Sequence, residues 1–200
     1  MSLYEQETNL EFRENFANKE EFIVTHISNF RKVKRIEDVI KIFAKVCKKI
    51  PSKLLMIGDG PERLNAEQLC RKLDVSDKVR FLGKLRVIEN MLTISDVFLL
   101  PSETESFGLV ALEAMASKTA VISTNSGGLN EVNIQGKTGY LSNVGDIDKM
   151  SNDIIKLFSD NILLTRFKLN ALHHARSFDI NHILPKYEEI YNDFCGKMTL

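Results

Sequence analysis

The sequence is poor in the residues that build small cross-linked scaffolds, with no tryptophan, four prolines and three cysteines among 200 residues. Cys47, Cys70 and Cys195 lie far apart and form no C-x-x-C pair. An odd number of isolated cysteines argues against a disulfide framework and against a zinc site, so we expect three free thiols.

The sequence has no excess of positive or negative charge, because 27 basic residues balance 27 acidic ones. This balance argues against nucleic acid as a partner. No apolar run reaches the roughly 18 residues of a membrane span, and no charged start followed by an apolar block marks a signal peptide. We therefore expect a cytoplasmic protein without a membrane segment. A homo-oligomer remains compatible with the sequence.

Strand-like and helix-like segments alternate along the chain, and 44% of the residues are apolar. This alternation predicts an α/β domain with a parallel, doubly wound, Rossmann-like sheet covered by helices on both faces. The strands are predicted at 22–28, 53–57, 79–82, 97–100, 120–124 and 139–141. The domain itself is predicted at 22–194. Residues 1–21 are predicted to be a linker, of which the first three could be a cloning remnant, and 195–200 to be a tail.

Ligands of such sheets bind beyond the carboxyl ends of the strands, so the loops there are the candidate sites. Residues 101–116 follow the fourth strand as a polar loop and a strong helix former. Glu105 lies in the loop, and Glu113 follows it after seven intervening residues, a spacing that suits a nucleotide sugar. A helix that opens near Phe107 and Gly108 would direct free N–H groups at a diphosphate, and Gly108 would let the backbone approach it.

The loop after the first strand carries four cations in five positions. Arg31, Lys32, Lys34 and Arg35 all precede a predicted helix. Cations beside free helix N–H groups favour an anion, whereas without an anion they oppose the helix dipole. This cluster predicts a phosphate site, with a solvated basic turn as the alternative.

The turn after the second strand contains Gly58-Asp-Gly60 and resembles part of a dinucleotide fingerprint. Arg63 occupies the third glycine position of that fingerprint, and no acidic ribose partner follows at the expected distance. An NAD-dependent oxidoreductase is therefore disfavoured. A tight turn that needs positive φ is the plain alternative for these glycines.

The stretch around Glu105 and Glu113 resembles the paired-glutamate signature of the retaining glycosyltransferases of family 4. The shared pattern is Pro-Ser-x-x-Glu-Ser-Phe-Gly-Leu-Val-x-Leu-Glu-Ala-Met-Ala. The resemblance implies that the first glutamate contacts the transferred sugar and the second contacts the ribose of the nucleotide. It also implies that the intervening residues hold the diphosphate; these are Ser106, Phe107, Gly108, Leu109 and Val110. The alternative is that Glu105 caps a helix and Glu113 is a solvated surface acid.

The basic loop resembles the family pattern Gly-Arg-x-x-x-x-Lys-Gly, whose Arg and Lys grip the diphosphate. Lys34 matches the lysine, but Asn29 falls where the arginine belongs, and we expect Arg31 to replace that second cation. The turn at Gly60 matches the family's Gly-x-Gly-Pro turn. The resemblance further implies that backbone groups of three residues cradle the base: Leu82, Gly83 and Lys84.

The resemblance extends from about residue 22 to residue 194 and is to the second half of a two-domain GT-B enzyme. It implies a nucleotide-sugar donor as substrate, an additional amino-terminal domain that holds the acceptor, and neither a metal nor a cofactor. Asp146 and Asp148 form a D-x-D pattern, but a helix start explains them better than a metal site. A non-catalytic nucleotide-sugar-binding module remains the alternative from another functional class.

Overall fold

The computed structural model of the chain describes residue 4 and residues 8–197. The suggested cloning remnant at residues 1–3 lies outside the described residues, and so do residues 198–200 of the suggested tail. The side chain of Cys195 is also outside the described part, so the expectation of a free thiol there stays a prediction. Cys47 and Cys70 are free and buried.

Six parallel strands form one sheet in the order β3-β2-β1-β4-β5-β6. Their bounds are β1 Phe22–Ile27, β2 Ser52–Ile57, β3 Val79–Gly83, β4 Val97–Leu100, β5 Ala120–Thr124 and β6 Gly139–Ser142. This order confirms the predicted doubly wound sheet. The direction of winding reverses between β1 and β4, and loops at such a switch point open onto one crevice.

Helices connect the strands and cover both faces of the sheet. Their bounds are α1 Leu10–Glu14, α2 Ile36–Cys47, α3 Arg63–Lys72, α4 Glu89–Thr93, α5 Leu109–Ala116, α6 Leu129–Val132, α7 Ile147–Phe158, α8 Asn161–Arg176 and α9 Ile180–Lys197. The short helix α6 is not predicted by the sequence, because four residues are too few to show a helical period. No helix in the described part of the chain has both the length and the apolar character that crossing a membrane requires.

Alternate residues of each central strand enter opposite sides of the core, as the period of two requires. In β2, Leu54 and Met56 pack with α2 and α7, whereas Leu55 and Ile57 pack with α4 on the other face. All four side chains are almost completely buried. Burial of each such side chain contributes about 1.5–3 kcal/mol, so the sheet is held from both sides.

Part of the segment predicted as a linker, within residues 9–21, packs onto the sheet. Phe12 and Phe16 cover the face of the sheet beside α4, and Ala17 is buried there. Arg13 donates hydrogen bonds to the Asp96 carboxylate, at 2.9 Å, and to the carbonyl oxygen of Glu21, at 2.7 Å. The segment lacks a clear apolar period, so its docking depends on contacts that are remote in the sequence.

Candidate functional site

The loops that follow β1 and β4 meet above the switch point of the sheet. The backbone N–H of Glu103 donates to the carbonyl oxygen of Val33 at 2.8 Å. The ammonium of Lys34 lies 2.5 Å from Oε2 of Glu105, and these side chains are only 19% and 16% exposed. The structure therefore brings together the two charged groups that the sequence motifs place in separate loops.

The loop after β1 is a compact turn in which the side chains of Arg31 and Lys34 have different surroundings. Residues Lys32–Lys34 form a single 3-10 turn, and the Lys34 N–H donates to the Arg31 carbonyl at 2.8 Å. Phe30 is buried and anchors the loop. The Arg31 side chain is exposed and has no hydrogen bond or ion pair with another described residue, so it is available to an anion.

The helix α5 begins directly after the loop that carries Glu105. Its N-cap is Gly108, in the left-handed region with φ 87°, and no side chain caps the helix. Within the described chain, the N–H groups of Leu109 and Val110 have no hydrogen-bond acceptor. Free N–H groups and the positive end of the helix dipole make this a favourable position for an anion.

Glu105 is not the helix cap that the plain alternative supposes, because its carboxylate pairs with Lys34 instead. Its backbone is held by the turn after β5. The N–H of Gly128 donates to the Glu105 carbonyl at 3.0 Å. A Cβ atom built on Gly127 would lie 2.0 Å from the same oxygen, so only glycine permits this approach. Gly127 and Gly128 therefore fix the backbone of Glu105 from the turn after β5.

Glu113 is half-buried on α5 and is not the solvated surface acid of the plain alternative. The hydroxyl of Tyr4 donates to its Oε1 at 3.1 Å. Burial raises the pKa of the Glu113 carboxyl, the hydrogen bond from Tyr4 opposes this, and the charge of Glu89 adds to it. Burial followed by the Glu113 charge raises the pKa of Tyr4 to about 12. Tyr4 and Glu113 line a cavity of about 220 Å³ beside Phe178.

Glu89, the first residue of α4, is a further acid in this region that the sequence did not single out. Its Oε2 atom is buried and has no hydrogen-bond partner among the described residues. An unpaired carboxylate oxygen near Glu113 leaves an acceptor for a hydroxyl or amide donor.

His26 lies inside the sheet at the end of β1, directly below the basic loop. Nδ1 lies 2.8 Å from the Leu99 carbonyl, and Nε2 lies 2.8 Å from Oγ of Ser28. A carbonyl only accepts, so Nδ1 carries the proton, and Nε2 accepts from the Ser28 hydroxyl. Burial is the main cause that lowers the pKa of His26 to about 4. The hydrogen bond to Leu99 raises this pKa, and the charge of Lys34 lowers it. Its neutral imidazole therefore joins β1 to β4 beneath the site.

The other predicted donor-binding residues lie in the turns after β2 and β3. The turn after β2 lies against the basic loop, because a Cβ atom on Gly60 would be 2.1 Å from the Asn29 carbonyl oxygen. Gly83 accepts a hydrogen bond from the N–H of Gly58 at 2.7 Å. No hydrogen bond or ion pair in the described residues joins Leu82 or Lys84 to the glutamates of the site. Their predicted contact with a base stays a prediction.

Arg35 makes two ion pairs that the sequence motifs did not reveal. Its guanidinium contacts the carboxylates of Asp38 and Glu103. The three-residue spacing to Asp38 on the following helix is a local signal that sequence reasoning could have used. The contact with Glu103 has no such signal, because it joins two loops.

Two comparisons of sequence relate this chain to known proteins. A family model described as glycosyl transferases group 1 matches residues 7–174. N-acetyl-alpha-D-glucosaminyl L-malate synthase of Bacillus anthracis is 43% identical over 182 residues, which are 90% of this chain and 48% of that protein. The chain thus spans about half the length of this curated relative.

Solved structures share the fold. HepE of Anabaena, crystallised with UDP and glucose, has a TM-score of 0.86 at 23% identity, covering 96% of this chain and 54% of that one. The C-terminal domain of LpcC, a group 1 family protein of Francisella tularensis, has a TM-score of 0.80 at 23% identity, covering 88% of this chain and 96% of that one. The LpcC structure is of the C-terminal domain only, so a domain of this fold has been crystallised by itself.

Proposed function

Because this chain belongs to the glycosyl transferases group 1 family, we propose that it is the donor-binding half of a retaining hexosyltransferase. The observation that carries the proposal is the 2.5 Å contact between Lys34 and Glu105, next to the uncapped start of α5. A cation, free helix N–H groups and a carboxylate then surround one position. This combination suits a diphosphate that is bonded to a sugar.

Each group has a part in binding the donor. Lys34 and the exposed Arg31 pair with the diphosphate, together with the N–H groups of Leu109 and Val110. Glu105 accepts hydrogen bonds from hydroxyls of the transferred sugar. Hydrogen bonds to charged groups contribute about 1.5–3 kcal/mol each, which is enough to select one orientation of the donor.

At the other end of the donor, the ribose hydroxyls bind Glu113. Its half-buried carboxylate already accepts a hydrogen bond from Tyr4, so it is held in one orientation. The base then lies toward the loop after β3, where we propose contacts with the backbone of Leu82, Gly83 and Lys84.

The chemical step breaks the bond between the anomeric carbon and the diphosphate oxygen, and the electron pair leaves with the nucleotide. Lys34, Arg31 and the start of α5 stabilise the charge that develops on the diphosphate. The acceptor hydroxyl attacks from the face of the departing group and retains the configuration. Its proton passes to the diphosphate. The positive charge in this scheme comes from the two side chains and the helix, and no metal or cofactor is assigned a part.

For the substrates, we propose N-acetylglucosamine transferred from UDP-N-acetylglucosamine to L-malate, the reaction of bacillithiol biosynthesis. The 43% identity to the Bacillus anthracis L-malate synthase supports this choice. Another UDP- or GDP-sugar with a lipid or polysaccharide acceptor is the alternative within the same family.

We propose that the acceptor is held by a further domain, because this chain matches only 48% of the Bacillus anthracis relative. The last helix, α9, exposes apolar side chains along one side: Ile180 by 66%, Leu184 by 50%, Tyr187 by 59% and Tyr191 by 68%. We propose that this side packs against an amino-terminal acceptor domain. The chain alone should bind donor and turn over negligibly, because orientation of the second reactant supplies much of the catalysis.

Calorimetry with UDP and UDP-N-acetylglucosamine tests donor binding. We expect binding that Lys34→Ala weakens at least about tenfold, the loss of one charge-assisted contact. Lys41→Ala is the matched control, because Lys41 pairs with Glu37 on the exposed side of α2. Absence of binding to any UDP- or GDP-sugar would contradict the proposal, and binding of NADH instead would support an oxidoreductase.

Turnover separates an enzyme from a non-catalytic nucleotide-sugar-binding module. The chain should be joined to the amino-terminal half of the Bacillus anthracis relative and assayed for release of UDP in the presence of L-malate. Donor binding without turnover in a folded two-domain protein would favour the binding module.

A further inference from the structure

Arg35 has a backbone conformation that disfavours its own residue type. It is the N-cap of α2 and lies in the left-handed region, with φ 51° and ψ 51°. Residues with a Cβ atom rarely adopt this region, and glycine adopts it without strain. The motif that Lys34 matches ends in glycine at this position. An arginine here therefore carries some backbone strain, as do the other non-glycine residues with positive φ, which are Phe30, Asp74 and Lys118.

The guanidinium of Arg35 connects the start of α2 to the loop that carries Glu105. Nε lies 2.5 Å from Oδ2 of Asp38, and Nη1 lies 2.8 Å from Oε1 of Glu103. The Arg35 side chain is 28% exposed, and its partners differ in exposure, because the Asp38 side chain is 7% exposed and the Glu103 side chain 50%. Nη2 also approaches Gly145, where a Cβ atom would lie at 3.4 Å.

Lys34 and Arg35 are neighbours in one loop, and they pair with Glu105 and Glu103 of the other loop. Two ion pairs therefore join the loops side by side, and the hydrogen bond from Glu103 to Val33 adds a third link. The two pairs differ in one respect. The ligand of the proposed function draws Lys34 away from Glu105, whereas nothing in that function displaces Arg35 from Glu103.

We propose that Arg35 is a positioning residue that holds the loop after β4 in place while Lys34 changes its partner from Glu105 to the diphosphate of a nucleotide sugar. This inference rests on the proposed function. The strain at Arg35 is the cost of a second ion pair that persists when the first one opens. Without Arg35, the loop and its Glu105 would lose their fixed position as the diphosphate binds.

The test variant is Arg35→Gly, because glycine accepts φ 51° and the relief of backbone strain offsets part of the stability lost with the two ion pairs. We expect the dissociation constant for UDP-N-acetylglucosamine, measured by calorimetry, to rise about tenfold. Arg35→Lys should recover part of the affinity through Glu103. Asp38→Asn is the matched control, since it removes the pair within α2 and leaves the link between the loops.

A double-mutant cycle with Glu103→Gln separates positioning from direct contact with the ligand. Glu103→Gln should weaken binding as much as Arg35→Gly, and the double variant should be no weaker than either single variant. Hydrogen exchange of residues 101–108 should be faster in Arg35→Gly than in the unmodified chain, and the difference should be larger with UDP bound, when Lys34 no longer pairs with Glu105.

The outcomes are distinct. Unchanged affinity and unchanged exchange in Arg35→Gly would overturn the inference and leave the proposed function intact. A loss with Arg35→Gly that Glu103→Gln does not reproduce would mean direct contact with the ligand, and this also overturns it. If the unmodified chain binds no UDP or UDP-sugar, the proposed function fails, and this inference fails with it.

Discussion

The ammonium of Lys34 lies 2.5 Å from the carboxylate of Glu105, although the two residues are 71 positions apart in the chain. The proposed function assigns them to different parts of one ligand, Lys34 to the diphosphate and Glu105 to the sugar. Under the proposed function, their direct contact means that a diphosphate would compete with Glu105 for Lys34. A sugar that engages Glu105 would lower the cost of this exchange, so we expect the site to favour the intact donor.

This competition predicts opposite effects of two substitutions on UDP, which lacks the sugar. Lys34→Ala should weaken UDP binding at least about tenfold, whereas Glu105→Gln should strengthen it about two- to fivefold, because a neutral amide holds Lys34 less tightly. The additional affinity for UDP-N-acetylglucosamine over UDP should disappear in Glu105→Gln. Calorimetry on both ligands measures these effects. Equal weakening of UDP binding by both substitutions would contradict the competition.

Glu113→Gln should raise stability and lower affinity. The raised pKa of Glu113 means that the folded state disfavours the ionised carboxyl. The Glu113 carboxyl has one pKa in the unfolded chain and a higher one in the folded chain. It contributes stability at pH values below the unfolded pKa, and this contribution is lost as the pH rises through the folded pKa. Near neutral pH the neutral amide should therefore increase the free energy of unfolding slightly, while UDP binds about tenfold more weakly.

The control for this prediction is Glu131→Gln, which changes an exposed acid on α6 and should alter neither property. Urea unfolding and calorimetry measure the two effects. A less stable Glu113→Gln variant at neutral pH would show that the carboxylate is not disfavoured in the folded chain.

His26→Gln should reduce the loss of stability in acid. The pKa of His26 falls from its ordinary 6.5 to about 4 in the folded chain. A lowered folded pKa contributes stability that is present above the unfolded pKa and lost as the pH falls toward the folded pKa. The window is therefore about pH 6.5 to 4, with a total effect of about 3 kcal/mol.

Glutamine offers one donor for the Leu99 carbonyl and one acceptor for Ser28, the two groups that His26 contacts, and it does not titrate. The free energy of unfolding from urea titrations at several pH values measures the effect. Carboxylates also titrate in this range, so the difference between the two proteins is the informative quantity. Parallel pH profiles for both proteins would count against a buried neutral imidazole.

Gly127→Ala should displace the loop that carries Glu105. Gly127 has φ 56° and Gly136 has φ 73°, so alanine costs backbone strain of about 1 kcal/mol at either position. Only Gly127 also meets the Glu105 carbonyl oxygen, at 2.0 Å from the added Cβ, whereas Gly136 has no atom within 4 Å. Gly127→Ala should therefore be destabilised by about 2 kcal/mol more than the matched Gly136→Ala and should lose UDP affinity. Equal thermal stability of the two variants would be the contrary result.

The strands were the most predictable part of this fold, because each is a short apolar run that ends at glycine, proline or a polar loop. β4 is the clearest example, since Val97–Leu100 is fully buried and Pro101 ends it. Residues 9–21 were not predictable in the same way. Arg13 holds them by contacts with Asp96 and Ile94. A local sequence pattern cannot predict a partner that lies more than 80 positions away.

The amino-acid sequence by itself determined which residues stand at the carboxyl ends of the strands, because local apolar runs and their breaks place the loops. Lys34, Glu105 and Glu113 follow from that placement and from the motifs around them. Only the tertiary structure decided that β1 lies beside β4, and therefore that Lys34 meets Glu105 and Arg35 meets Glu103. Strand order depends on how the helices cover the two faces of the sheet, and a period of two or 3.6 residues carries no information about which strand becomes a neighbour.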